Sequence, residues 1–84
     1  MEKEDKVVLM LFAKRLKMLR EKKFESLNQF AFNNSELTSA TISRIENANV
    51  DFKFTTLIKI SNALGITPDE LLKDIDFKYS GYNY

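Results

Sequence analysis

The sequence predicts an all-α fold of five helices in one domain, and three observations carry that prediction. Only two glycines and one proline occur in 84 residues, so the tight turns that join strands are scarce. Apolar residues recur at three- and four-residue spacings along most of the chain, the period of helices that bury one face. Helix-start signals also stand before two of these runs, at Ser26 and Thr67. An apolar content of 44% against 30% charged suits a folded chain with one core.

The first helix, predicted over residues 5–22, carries Leu9, Phe12, Leu16 and Leu19 as its inner stripe. The second opens at Ser26-Leu27-Asn28-Gln29, a capping box in which the serine oxygen takes the amide of Gln29 and the glutamine reaches back. It carries Leu27, Phe30 and Ala31 and ends near Asn33-Asn34-Ser35, because asparagine tolerates a left-handed backbone where glycine is absent. The third helix follows Leu37, with Thr38 as its N-cap, and runs to Asn47. The fourth covers residues 53–64 with Phe54, Leu57, Ile58, Ile60 and Leu64, and Gly65 stops it. The fifth starts at Thr67-Pro68-Asp69-Glu70, a threonine cap followed by proline at the first helical position. Leu71, Leu72 and Ile75 continue its core. Residues 77–84 are aromatic without a period and read as a tail on a domain of residues 1–76.

Composition excludes several function classes. Without cysteine there is no disulfide or thiolate metal site, and without histidine the usual zinc sites and the commonest general base are missing. Asp74 and Asp76 are two carboxylates without further ligands, and Ser43 has no base to activate it. The sequence therefore predicts no enzyme, no metal and no cofactor. Its first residues are too acidic for a signal peptide, and its longest apolar run, residues 7–13, is too short to span a bilayer. A cytoplasmic protein without membrane contact is expected. The net charge of +1 gives no sign of a polyanionic partner, but Lys14, Arg15, Lys17, Arg20, Lys22 and Lys23 crowd one stretch against Glu21 alone.

The third helix is the most informative. At 100° per residue, Thr38, Ile42 and Ile45 fall on one side, and Ser39, Ala40, Ser43, Arg44 and Asn47 fall on the other. The outer side lacks the Glu/Lys mixture of a solvated helix. Serines allow close approach to base edges, Ala40 suits a thymine methyl, and Arg44 can pair bidentately with guanine. Asn47 is within reach of an adenine or a phosphate. Two short helices joined by a polar turn with one apolar residue, Leu37, have the layout of a helix-turn-helix.

Over residues 16–72 the chain resembles the lambda-repressor/Cro-like helix-turn-helix regulators, the xenobiotic-response-element type. The residues that carry the resemblance are RLKMLREKK at 15–23, Phe30-Ala31, TISRIEN at 41–47, TTLIKISNALGI at 55–66 and TPDELL at 67–72. It implies a five-helix domain with a slightly extended first helix, and a regulator that occupies double-stranded operator DNA as a homodimer. With no effector-binding segment after the helical unit, no small-molecule effector is expected. Carried over by position, the resemblance implies that Ser39, Ala40, Ser43 and Arg44 face bases. It likewise implies that Asn28, Thr38, Asn47, Asn49 and Lys53 meet the DNA backbone. Arg20 and Glu46 match a structural ion pair of the family.

The chain departs from the family pattern in three places. Leu27 stands where a glutamine often opens the second helix, and the turn before the third helix is one residue longer than usual. After that helix, Ala48 and Phe52 replace a glycine and a proline, and Asp51 sits where a cation would be useful. An acid facing phosphate predicts modest non-specific affinity.

Two surfaces are candidates for association. Val7, Leu11 and Met18 form a second apolar stripe on the first helix, and Ile75, Phe77, Tyr79, Tyr82 and Tyr84 form an aromatic C-terminal segment. Either they cover each other within one chain, or they meet a second copy or another protein. The alternative to a DNA-binding regulator is an interaction module, antitoxin-like, that uses the same scaffold to hold a protein and binds DNA weakly.

Overall fold

The computed structural model describes residues 2–32 and 37–79. Five helices follow in order: α1 (Lys3–Lys23), α2 (Leu27–Phe32), α3 (Ser39–Glu46), α4 (Phe54–Leu64) and α5 (Pro68–Leu71). The helix ends near residues 33–35, the lengthened turn, and Tyr82 and Tyr84 all lie outside the described residues.

Helix α1 is the spine. Leu9, Phe12, Ala13, Leu16 and Arg20 are buried along one side, and α3 and α4 pack across it while α2 lies against α3 and α5 against α4. The main core joins Phe12 and Leu16 to Phe30, Leu37, Ile42, Ile45, Ile60, Leu64 and Leu71. Leu19 is half-buried against it, as are Leu57, Leu72 and Phe77. A smaller cluster of Leu9, Ala13 and Ala48 lies under Phe52, whose ring meets that of Phe12 at 5.2 Å. Among the described residues no helix is long and apolar enough to cross a membrane.

The helix ends follow their local chemistry. The Gln29 amide donates to Ser26 Oγ at 3.1 Å, but Gln29 Oε1 accepts from the amide of Glu25 rather than from that of Ser26. The box is thus closed one residue earlier than expected. Thr67 caps α5, accepting from the Glu70 amide. Helix α4 stops at Gly65, whose φ of 73° is left-handed. A side chain would be strained at that φ, and its Cβ would lie 2.9 Å from the flexible end of Lys23, which would have to shift.

Three expectations are corrected. Phe54, read with Leu57, Ile58, Ile60 and Leu64 as the apolar set of the fourth helix, is 74% exposed at the first position of α4. Thr38, placed on the inner side of the third helix by the wheel, is exposed, since as N-cap it stands off the helical path. Helix α5 is a single turn, and Ile75, beyond it, is half-buried but outside the main cluster. In the segment read as a tail, for which covering within one chain was one of the alternatives, Phe77 packs on the core, and the Tyr79 hydroxyl donates to Asp5 at 2.9 Å.

Candidate nucleic-acid interface

Leu37, 1% exposed, anchors the chain just before α3. Thr38 then caps the helix, its oxygen accepting from the Thr41 amide at 3.1 Å, with the two threonine hydroxyls 2.9 Å apart. This satisfies one of the amides left orphaned at a helix start, a contribution of about 1 kcal/mol. Ile42 and Ile45 are fully buried. Two anchors one turn apart fix the rotation of the helix, and that rotation decides which side chains face outward.

On the outer face Ala40, Arg44 and Asn47 are exposed, and Ser39 and Ser43 are half-buried. No hydrogen bond or ion pair engages Arg44 among the described residues, so its guanidinium is available to a ligand. The Asn47 carboxamide, by contrast, folds back and donates to Ser43 O at 2.8 Å. Its nitrogen therefore satisfies its own helix, and only the oxygen remains for a partner.

The end of α3 is locked in three ways. The Ala48 amide donates to Ile45 O and the Asn49 amide to Arg44 O, the paired bonds of a Schellman turn, and Ala48 takes the left-handed position at φ 55°. An alanine thus sits where glycine is usual. Lys6 Nζ donates to Ala48 O at 2.6 Å and to Asn49 Oδ1 at 3.4 Å, closing the turn from α1. Arg20 holds Glu46 with two bonds, Nε to Oε2 at 2.6 Å and Nη2 to Oε1 at 2.9 Å. Those side chains are 8% and 7% exposed, and the bond to Glu46 raises the Arg20 guanidinium above its already high value.

The loop into α4 presents Asn49, Asp51 and Lys53 to solvent. Phe52 anchors this loop on Phe12. Lys53 stands at the N-cap of α4 with its carbonyl accepting from Thr56 and Leu57, which leaves its side chain free to reach outward. Asn28 is exposed in the first turn of α2.

The candidate set therefore occupies one continuous run from Thr38 to Lys53, with Asn28 on the preceding helix. Sequence reasoning missed Lys6 and the anchoring role of Phe52. Both act across forty or more residues of chain, where periodicity carries no signal. The basic run on α1 is also divided. Arg15 donates to Glu70 O and Leu71 O, Lys23 donates to Leu64 O, and Arg20 binds Glu46.

Among the described residues, no three carboxylates come together in a way that could hold a metal ion. A family model described as a Cro/C1-type HTH DNA-binding domain matches residues 15–76, well over half of the chain. No curated protein and no solved structure gives a significant match.

Proposed function

Because the chain belongs to the Cro/C1-type helix-turn-helix DNA-binding family, we propose that it is a sequence-specific regulator that reads operator DNA through the outer face of α3. It enters the major groove with Ser39, Ala40, Ser43 and Arg44 toward the bases. Asn28, Thr38, Asn47, Asn49 and Lys53 meet the flanking phosphates and fix the register. The working unit is residues 1–76, with 77–84 appended. The observation that carries this reading is Arg44: exposed, without a partner among the described residues, and flanked by side chains too short to keep a base edge away.

One such helix reads only a few base pairs, so the active form is a homodimer on a two-fold operator, acting as a repressor. Val7, Leu11 and Met18 are the side chains available for the dimer contact, at 47%, 36% and 42% exposed. Ile75 lines a hollow with Leu11 and Met18. Phe77 and Tyr79 contribute less, being turned inward.

The experiment is a binding titration on the DNA upstream of the protein's own gene. Arg44→Ala is expected to cost about 1–3 kcal/mol, roughly 5- to 150-fold, on the specific site. It should weaken binding to unrelated DNA far less than binding to the specific site, with two chains bound per specific site. Equal affinity of the variant and the unaltered protein for the specific site would refute the assignment of Arg44.

A second reading is favoured by the exposed stripe on α1, where Met10 adds 55% exposure. In that reading the scaffold holds a partner protein. The absence of any DNA complex at about 50 mM salt, where phosphate contacts are strongest, together with capture of a co-encoded protein, would favour it.

A further inference from the structure

We propose that Lys14 and Lys17 of α1 hold a stretch of the DNA phosphate backbone beside the end of the reading helix. The inference rests on the reading of α3 as the DNA-contacting element and extends that surface onto a second helix.

Placement is the first argument. Lys14, Lys17 and Met10 of α1 line one hollow with Glu46, Asn47 and Ala48 at the end of α3. A phosphate strand leaving the groove beside Asn47 would meet this hollow, because Asn47 itself lines it. Both lysines are exposed, and their flexible stems let the ammonium groups follow the strand.

Availability is the second. Of the six cations between Lys14 and Lys23, three are engaged inside the protein: Arg15 with α5 carbonyls, Arg20 with Glu46 and Lys23 with Leu64 O. Lys14 and Lys17 have no hydrogen-bond or ion-pair partner among the described residues. The acid of the hollow, Glu46, has both oxygens bonded to Arg20, so it does not oppose an incoming anion. Lys6 occupies the Ala48 carbonyl and so reduces the negative end of the α3 dipole, which would otherwise repel phosphate.

Need is the third. Asp51 stands exposed in the loop after α3, and the chain carries a net charge of only +1. Arg44 and Lys53 alone are a thin electrostatic footprint for a protein that must bind a polyanion. Two lysines on α1 supply the cations that the loop lacks.

Phosphate contacts have a signature that base contacts lack. Each one steepens the dependence of log affinity on log salt by about 0.9. The test uses the full chain on a duplex of mixed sequence and on the upstream DNA, with salt varied between about 50 and 200 mM. Lys14→Gln/Lys17→Gln is expected to lower the slope by about 1.8 on both duplexes and to weaken both equally. The melting temperature should not change. Lys22→Gln, equally exposed but outside the hollow, should keep the unaltered slope. An unchanged slope in the double variant, with Arg44→Ala still erasing sequence preference, overturns the inference and leaves the reading of α3 standing. Failure of the unaltered protein to bind either duplex at the lowest salt overturns both.

Discussion

Arg20→Ala removes both hydrogen bonds that Glu46 accepts, at 2.6 and 2.9 Å, and leaves a carboxylate whose side chain is 7% exposed without a counter-charge. Because the pair is buried, solvent screening gives little relief, and the orphaned charge costs about 3–5 kcal/mol. A domain of this size is stable by roughly 5–10 kcal/mol in total, so the loss takes a third of the margin or more. At about 4–8 °C per kcal/mol for 60–100 residues, the melting temperature falls by on the order of 10–40 °C. Thermal unfolding followed by circular dichroism measures this directly. The same reasoning makes a second demand. Arg20→Met/Glu46→Leu, which removes both charges and keeps the bulk, should recover to within about 2 kcal/mol of the unaltered protein, since an apolar replacement of a buried pair is often neutral. A loss below about 1 kcal/mol for Arg20→Ala would show the pair to be effectively solvated. A double variant no more stable than the worse single variant would show that the hydrogen bonds themselves, and not the orphaned charge, set the cost.

Two further outcomes follow from the helix ends. Ala48→Gly should change stability by less than about 1 kcal/mol: relief of about 1–2 kcal/mol of left-handed strain offsets a lost buried methyl and the added freedom of the unfolded chain. Ala48→Val should cost about 2 kcal/mol or more through strain and overpacking, and denaturant midpoints for the two variants decide the matter. At the start of α5, the bond to Thr67 and its own amide hold the Asp69 carboxyl below its ordinary range. A group whose folded value is depressed contributes stability that is present above about pH 4 and is lost as pH falls through the folded value. Asp69→Asn should therefore shallow the acid limb of melting temperature against pH, and an unchanged limb would dismiss the interaction.

What was legible in the sequence was what is local. Thr38, Thr67 and Gly65 declare helix ends through interactions spanning three or four residues, and the structure places the ends there. The outer face of α3 was legible for the same reason: Ile42 and Ile45 fix one side, and the helical period then fixes the other. Phe54 shows where this logic stops. A wheel gives a side chain's direction about its own axis, but not whether another element covers that position: Phe54 is left 74% exposed while Leu57, in the same turn, packs against the core. Phe52 shows the opposite failure, since a position that looks like a departure from pattern is where the loop is nailed to Phe12. Nothing local to Arg20 or Glu46 points to the other, and the same is true of Lys6 and Ala48.

The cations of α1 explain why composition said so little about a polyanionic partner. Helices leave their last carbonyls unpaired and carry partial negative charge there, and the helices after α2 all end against α1. Lys6 meets the turn that ends α3, Lys23 the end of α4, and Arg15 the end of α5. With Arg20 on Glu46, four cations of one helix bind the C-terminal ends of three others. Those four are structural and should be silent in salt dependence. Counting charges along the chain merges them with Lys14, Lys17 and Lys22, which are exposed and have no partner among the described residues. Neutralising Lys6 or Lys23 should thus lower the melting temperature with little change in the salt slope of DNA binding, and neutralising Lys14 or Lys17 should do the reverse. The contrast turns on which cations already hold a carbonyl, and only the folded arrangement of α1 against the other helices decides that.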